Sequence, residues 1–453
     1  KRVRTATAAA AAPKPTRVRR PSGHPQVLAS QEEARVARPR PRPRSQIRAT
    51  GEGAGVICLP AALASPVEDD DLLREILLRL PRQPSSLLRA SAVCKQWRCA
   101  ATDPKFLHRF RLHHRKPPLL GVFHQGKDDF FFTPIMDRPD RIPRSRFDLH
   151  LRDRSKGMLQ LLDCRHGRVL TFTYNRPNEV IVSDPITGGQ RRIALPPEFV
   201  GRRFNGAVLC ASVHHDHMHG SCHSSPFNVV LISDNGAYDP PITCVYSSET
   251  GIWGDIISAT VPCHLFDEGI SGLLVDNALY WLLESISDGM LKFDLDEQSL
   301  AVISGPPVID ADFPRGSHWI IQAEDGAVGF TILSCPQLQM WQRNINCYGV
   351  ATWVLWKTID MCTILGLPKQ IQGEEADERN ILGCLEDSDE IILSVGRAAY
   401  VVQLKSMKSR KLCENGSHTL YHSFKSFYPP GTSIAGGFDG AEMMHDSQGN
   451  CLV

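Results

Sequence analysis

The chain has 453 residues, 42% of them hydrophobic, which is enough for two or three globular domains with sizeable cores. Residues 1–50 carry thirteen Lys and Arg against two Glu, so the remainder of this +2 chain is mildly acidic. A basic tail on an acidic body argues against a nucleic-acid-binding domain, and the lack of any run of 18 apolar residues argues against a membrane partner.

The fourteen cysteines occur singly, with no Cys-x-x-Cys pair and no regular spacing. In a chain of this length, this pattern predicts free thiols in a reducing compartment rather than a disulfide scaffold. The first twenty residues contain no apolar core segment, so no secretory signal is expected. These features together predict a protein of the cytoplasm, the nucleus or both.

Residues 1–60 are rich in Ala, Arg and Pro and have no hydrophobic periodicity, which predicts a disordered basic tail. Two functional interpretations of this tail remain open. The run Arg38–Arg44 is typical of a nuclear import signal. The acid-poor start, rich in Arg, Ala and Ser, is typical of an organelle transit peptide.

An amphipathic helix is predicted near residue 70. Apolar residues recur at i, i+1, i+4, i+5 and i+8 from Leu72 to Leu80, so they lie on one helical face. The acidic run Asp69–Asp71 falls on the first turn, where it favours the positive end of the helix dipole. Pro81 is expected to end this helix.

Two further helices are predicted in the same segment. One begins at Pro84 and carries an apolar stripe that ends at Trp97, and another follows Asp103-Pro104. Residues 66–112 therefore form a predicted three-helix module. A module this small is marginally stable alone, so we expect it to pack on a partner or on the next domain.

The chain changes to a β pattern in residues 117–435, with residues 436–453 as a C-terminal tail. One hairpin pattern returns four times, at Val180–Pro197, Cys244–Ile256, Leu291–Pro307 and Tyr400–Leu412. Asp184, Ser247 and Asp294 hold matching places in three copies, at spacings near a kelch-type blade. We predict a small helical module followed by a mostly antiparallel, kelch-like irregular β-propeller, an α+β chain overall.

The segment Pro66–Phe110 resembles the F-box, in the form found in the expanded F-box families of grasses. The resemblance rests on the Leu-Leu…Ile-Leu…Leu-Pro helix, on Ser-x-Val-Cys-Lys-x-Trp in the second helix, and on Asp-Pro-x-Phe opening the third. The β-rich remainder is similar to the F-box-associated propeller-like region of these proteins. Together the two resemblances cover roughly residues 66–430.

The resemblance implies a substrate-recognition subunit of a Skp-cullin-F-box ubiquitin ligase. The module would bind a Skp-type adaptor and, through it, a cullin, while the β domain would bind an unidentified target protein. The alternative for each apolar side chain of the module is an ordinary core position. The residues that the resemblance and the amphipathic geometry assign to adaptor binding are Leu72, Leu73, Ile76, Leu77, Leu80, Pro81, Leu88, Val93 and Trp97.

Two places depart from the family pattern. Ser65-Pro66-Val67 stands where the family has Leu-Pro and an acid, and Cys99-Ala100-Ala101 stands where it has branched apolar residues. At a core position, each lost branched side chain costs about 1–3 kcal/mol.

Residues of metal-binding type are concentrated in one short segment that contains His214, His215, Asp216, His217, His219, Cys222 and His223. Ligands on adjacent residues cannot all converge on one ion, so the segment is interpreted as a polar loop between two strands, with adventitious metal binding as the alternative. The chain has no Gly-x-Ser-x-Gly, P-loop or dinucleotide fingerprint. We therefore predict no catalytic residue, no cofactor and no metal site.

Two other function classes remain open from the sequence alone. The first is a propeller-type binding or scaffold protein whose helices take no part in a ligase. The second is a propeller hydrolase, which requires carboxylates, or a nucleophile with its base, to converge in a central pocket.

Overall fold

A computed structural model describes residues 69–428 except 127–129, 148, 150–158, 174–178, 213–216, 218, 221, 235, 237–238, 309–315, 335, 367–378, 387, 397 and 414–419. The predicted tails, residues 1–60 and 436–453, and the atypical Ser65-Pro66-Val67 lie outside the described residues. No helix within these bounds is long and apolar enough to cross a membrane.

The described part of the helical module has four helices rather than the predicted three. They are α1 (Asp70–Leu78), α2 (Pro84–Ser91), α3 (Lys95–Thr102) and α4 (Pro104–His114). The predicted second helix divides because Cys94 is extended, at φ −162° and ψ 174°. The Ser91 hydroxyl donates to the Leu88 carbonyl at 2.7 Å, and Arg98 Nε donates to the Ser91 carbonyl at 3.3 Å. These bonds satisfy carbonyls at the end of α2 that a continuous helix would have used.

The division lets α2 and α3 bury separate faces around one small core. That core consists of Leu73, Leu77, Leu87, Ala90, Ala100, Ala101, Phe106 and Phe110. Ala100 and Ala101 are thus core positions, and their small side chains leave α3 fewer methyl groups to bury. The side chains of Asp69 and Asp103 accept backbone N–H bonds at the starts of α1 and α4, as N-cap residues do.

Five antiparallel sheets of four strands each follow within the described residues. The first comprises β3 (Leu159–Arg165), β4 (Arg168–Thr173), β5 (Glu179–Ser183) and β6 (Gln190–Ala194). The second comprises β7 (Asn205–Cys210), β8 (Phe227–Ser233), β9 (Ile242–Ser247) and β10 (Ile257–Ser258). The third comprises β11 (Leu273–Val275), β12 (Ala278–Leu282), β13 (Met290–Asp294) and β14 (Ser299–Ile303).

The remaining two of these sheets complete the C-terminal half. The fourth comprises β15 (His318–Gln322), β16 (Val328–Ser334), β17 (Gln337–Ile345) and β18 (Ala351–Asp360). The fifth comprises β19 (Arg379–Leu385), β20 (Glu390–Val395), β21 (Ala398–Gln403) and β22 (Lys408–Cys413), and it is preceded by the short helix α5 (Met361–Leu365).

A sixth sheet joins the two ends of the β region. It consists of β1 (Leu119–Gln125), β2 (Phe130–Pro134) and the last strand, β23 (Tyr421–Lys425), in the order β2-β1-β23. β23 lies against both β19 and β3, so the sheets close into a ring. The described strands therefore form a six-bladed β-propeller, and the small helical module makes up the α part of the predicted α+β chain. Closure pairs the two edge strands that an open array would expose.

Three of the four hairpin repeats predicted from the sequence are confirmed as outer parts of blades, whereas in the Cys244–Ile256 copy the second strand, β10, begins only at Ile257. Val180–Pro197 contains most of β5 and all of β6, Leu291–Pro307 contains most of β13 and all of β14, and Tyr400–Leu412 contains most of β21 and β22. Asp184 and Asp294 each accept two backbone N–H bonds inside their turns, at 2.9 to 3.2 Å. The matching side chains therefore close matching turns.

Candidate interaction sites

The outer face of α1 carries an exposed apolar strip. Leu72 and Ile76, one helical turn apart, are 41% and 38% exposed, whereas Leu73 and Leu77 on the inner face are 0% exposed. Val93, in the α2–α3 turn, is 62% exposed. We call Leu72, Ile76 and Val93 the apolar strip.

The start of α3 lies beside the start of α1. The Gln96 side-chain amide donates to Asp70 Oδ1 at 2.9 Å. Val93, just before α3, is thereby held at the end of the module where Leu72 lies. An exposed apolar surface on a small helical unit is typical of a protein-binding face.

The other predicted adaptor-binding residues are distributed between surface and core. Leu80, Leu88 and Trp97 are half-buried, and Pro81 is exposed. Leu73 and Leu77 belong to the core of the module, so a partner cannot touch them without unfolding it. Of the nine predicted residues, these two have the ordinary core role that the sequence left open.

Polar contacts join the module to the propeller. Arg82 Nη1 donates to the Lys116 carbonyl at 2.6 Å, and the Ser85 N–H donates to Asp140 Oδ1 at 3.0 Å. Residues 115–118 form the linker between α4 and β1, and the Ser426 N–H donates to the Pro118 carbonyl at 3.3 Å. The linker therefore lies at the end of the ring where β1 begins and β23 ends.

An axial cavity of about 430 Å³ opens at the opposite end of the ring. Its wall includes Gln125 at the end of β1, and Gln160, Trp319 and Asn380 at the starts of inner strands. Because β1 has seven residues, this cavity and the linker lie about 20 Å apart along the strand direction. The mouth of the cavity therefore lies at the end of the ring away from the linker.

A buried ionic cluster fills the channel below the cavity. Arg165 Nη1 donates to Asp163 Oδ2 at 2.7 Å, and Arg165 Nε donates to Glu386 Oε2 at 2.7 Å. Arg165 Nη2 also donates to Glu386 and to the Gly272 carbonyl. Burial raises the pKa of Asp163 to about 6 against the lowering effect of Arg165. Burial lowers the pKa of Arg165, but Asp163 and Glu386 outweigh burial and raise it, so Arg165 is a fixed cation.

The same carboxylates connect neighbouring blades. Asp163 Oδ2 accepts the Val208 N–H of β7 at 2.8 Å, and Glu386 Oε1 accepts the Leu274 N–H of β11 at 3.0 Å. Asp163 and Arg165 lie on β3, and Glu386 directly follows β19. The cluster therefore ties four of the six blades together at the axis.

Among the described residues, Ser271 and His422 form the contact that most resembles a catalytic pair. Ser271 Oγ lies 2.7 Å from His422 Nδ1, beside the ionic cluster. Burial, and secondarily Arg165, lowers the pKa of His422 to about 3. A general base works best with a pKa near the operating pH, so this imidazole is a poor proton acceptor for a nucleophile. The cluster joins blades and offers no activated nucleophile.

Models of two protein families match this chain. The family model described as "F-box protein AT5G49610-like, beta-propeller" matches residues 160–430, and the family model of the F-box domain matches residues 69–109. The chain belongs to this F-box propeller family. The F-box/kelch-repeat protein At2g43445 of Arabidopsis thaliana is 23% identical over 63% of this chain and 64% of its own length. The resemblance to plant F-box proteins is thereby confirmed, and the chain spans less than two thirds of that relative.

Solved structures resemble the propeller at low identity. A functionally unknown protein from Desulfotomaculum acetoxidans is 11% identical, with a TM-score of 0.35, over 68% of this chain and 89% of its own. The Aleuria aurantia lectin is 12% identical, with a TM-score of 0.33, over the same shares. At these scores neither likeness bears on function.

The axial residues of this F-box protein were not predicted from the sequence. Asp163 and Arg165 lie together on β3, but Glu386 follows β19 more than 200 residues later, and only ring closure brings it to the other two. Asp163-Cys164-Arg165 does place two charged residues at i and i+2 within a strand, where charge on a buried face is unusual. That alternation is the one local signal of a buried ion pair.

The stability of the propeller is expected to fall in acid because His422 is buried in the neutral state. Its pKa of about 3 lies below the unfolded value of 6.5, so the unfolded chain binds the proton first and stability is lost as the pH falls below 6.5. Asp163 makes the folded state more stable as the pH falls, because its pKa is higher in the folded chain. Its pKa rises only from 3.8 to about 6, which is a smaller shift than that of His422. The free energy of unfolding of the full chain, measured by denaturant titration at several pH values, should therefore decrease between pH 7 and 4.5.

The variant His422→Asn separates this contribution. The asparagine amide keeps a hydrogen-bonding group near Ser271 but does not titrate, so the loss between pH 7 and 4.5 should shrink by about 2–3 kcal/mol. Part of the loss of stability in acid should remain in this variant, because His166 is also buried and its pKa is also lowered. If the free energy of unfolding of His422→Asn depends on pH as it does in the native chain, His422 is not the source of the acid sensitivity.

Proposed function

We propose that the chain is the substrate-recognition subunit of a Skp-cullin-F-box ubiquitin ligase. F-box domains bind Skp-type adaptors, which link them to cullins. The observation that carries the proposal is the apolar strip, because it leaves large apolar side chains of an F-box exposed on a module that has its own core. An adaptor that covers the strip would remove this surface from water.

The propeller is the proposed target-binding part. Its axial cavity combines apolar Phe266 and Trp319 with polar Gln160 and Asn380, a mixture suited to anchoring a protein side chain or a short loop. Because the cavity opens away from the linker, a bound target and a bound adaptor would occupy opposite ends of the chain. The chain would then raise the effective concentration of the target near the ubiquitin-conjugating enzyme, without catalysis of its own.

The test is assembly of the full chain with a Skp-type adaptor and a cullin. We expect the tagged chain to co-purify with both at equal stoichiometry, and its bound proteins to be ubiquitinated when conjugating enzyme is added. A folded chain that captures target proteins but no adaptor would replace this proposal with the scaffold function. Blocking proteasomal degradation during expression should increase the captured target.

A further inference from the structure

Four possible metal ligands converge beside the linker end of the propeller. They are Cys210, His217, His219 and Cys222, and their ligand atoms all lie within 4.8 Å of one another. Cys210 is the last residue of β7, and the other three come from the segment that returns toward β8. The spacing is Cys-x6-His-x-His-x2-Cys. The His-rich segment of the sequence thus gains a ligand from the preceding strand.

The distances within this cluster match the edges of a metal tetrahedron. His217 Nε2 lies 3.1 Å from Cys210 Sγ and 3.2 Å from Cys222 Sγ, and His219 Nδ1 lies 3.7 Å from Cys222 Sγ. Zinc bonds of about 2.3 Å to sulfur and 2.0 to 2.1 Å to nitrogen give sulfur–nitrogen edges of about 3.5 Å. The three observed distances bracket that edge, so one ion fits between the four atoms with small side-chain movements.

Neighbouring groups orient the ligand residues. His166 Nδ1 accepts the Cys210 N–H at 3.0 Å, and the His166 ring stacks on His219 with centroids 3.8 Å apart. The buried Arg168 guanidinium donates to the carbonyl oxygens of Cys222 and Ser225. Metal sites in proteins are held by an outer shell of this kind, which fixes the ligands before the ion binds.

The ligand segment also contacts the residues that directly precede β1 and directly follow β23. The Gly220 carbonyl accepts the Phe427 N–H at 2.9 Å and the Ser426 hydroxyl at 3.0 Å. Gly220 has φ +94°, and a Cβ there would lie 2.6 Å from Pro117. Gly220 therefore lies against both the linker and the residues that follow β23. These neighbours leave no space for a side chain at Gly220.

We propose that Cys210, His217, His219 and Cys222 form a structural zinc site. Two thiolates and two imidazoles in a tetrahedral arrangement are the ligand set that zinc prefers, and four protein ligands leave no open position for catalysis. The ion would hold His217, His219 and Cys222 against the end of β7 and so stabilise the linker end of the propeller, where β1 and β23 close the ring. This proposal departs from the sequence-based expectation of no metal, and it does not depend on adaptor binding.

The metal content of the purified full chain tests the site. We expect one zinc per chain by elemental mass spectrometry after gel filtration without chelator. Replacing zinc with Co²⁺ should give the visible d–d bands of tetrahedral cobalt and thiolate-to-cobalt charge-transfer bands. Cys210→Ser and Cys222→Ser should lose the zinc and these bands. Cys347→Ser, at an exposed cysteine outside the cluster, is the matched control and should keep both.

A second variant keeps the test valid if the cysteine variants do not fold. His219 is exposed, so His219→Asn leaves the core intact and should lower zinc affinity at least tenfold in competition with a chelator. Chelation should lower the Tm of the native chain. The proposal is overturned if the native chain contains no zinc or contains another metal at one ion per chain. It is also overturned if the cobalt-substituted chain shows no thiolate-to-cobalt bands, or if peptide mapping after alkylation finds a Cys210–Cys222 disulfide.

Discussion

Replacing Arg165 with Met is expected to lower the free energy of unfolding by about 3–5 kcal/mol, because it leaves buried carboxylates without their cation. Asp163 is almost fully buried and Glu386 is 25% exposed, so water cannot take over the role of Arg165 at the first and does so only in part at the second. Denaturant unfolding of the full chain, followed by tryptophan fluorescence, measures the change.

A double variant distinguishes loss of the charge balance from loss of packing. Asp163→Asn keeps an oxygen that can accept the Val208 N–H but removes the charge, so Arg165→Met with Asp163→Asn should regain part of the lost stability. The control is Arg203→Met, because Arg203 pairs with Glu268 at 3.0 Å but is itself 68% exposed. It should change stability by less than about 1 kcal/mol. Equal losses in the Arg165 and Arg203 variants would contradict the proposed role of the cluster.

Local patterns were sufficient to predict the elements that depend on nearby residues. The apolar period from Leu72 to Leu80 predicted α1, and the turns at Asp184 and Asp294 predicted the outer hairpins of two blades. In each case the side chains that specify the structure lie within a few residues of one another. The break between α2 and α3 was missed because it depends on Ser91 and Arg98 bonding to carbonyls, which competes with an otherwise helical pattern.

Features that depend on ring closure could not be predicted in this way. The pairing of β1 with β23 joins Gly121 to Phe424, about 300 residues apart, and no local period encodes it. The hairpin of β17 and β18 was also missed as a repeat, because its strands of nine and ten residues are longer than those of the other copies. Cys210 was left out of the His-rich segment for a similar reason, since it lies at the end of the preceding strand.

The sequence predicted α1 as part of the adaptor site but did not distinguish its exposed face from its buried face. Leu72, Leu73, Ile76 and Leu77 of α1 were all predicted to bind the adaptor, but the period that makes a helix amphipathic cannot separate a core face from an adjoining exposed face. The structure assigns Leu73 and Leu77 to the core and leaves Leu72 and Ile76 exposed. Substitutions at the first pair would therefore confuse unfolding with loss of binding, and only the second pair gives a clean test.

The double variant Leu72→Asp/Ile76→Asp is expected to weaken binding of a Skp-type adaptor about 100-fold or more. Two carboxylates on the apolar strip would have to be desolvated in the complex, whereas in the free chain they remain in water. Because both side chains are exposed, helix content and the free energy of unfolding should change little, by about 1 kcal/mol or less. Titration calorimetry with purified adaptor measures affinity, and circular dichroism checks the fold.

Two comparisons make this result specific to the F-box surface. Ile252→Asp places the same charge at a 66% exposed apolar residue of the propeller, so it should bind adaptor as the native chain does. Leu77→Asp puts a charge into the core of the module, so it should lose helix content together with binding. If the double variant binds adaptor normally while folded, the apolar strip is not the docking surface, and the half-buried Leu88 and Trp97 become the residues to change next. If it loses binding while Ile252→Asp does not, burial of the strip supplies the affinity that the small module needs.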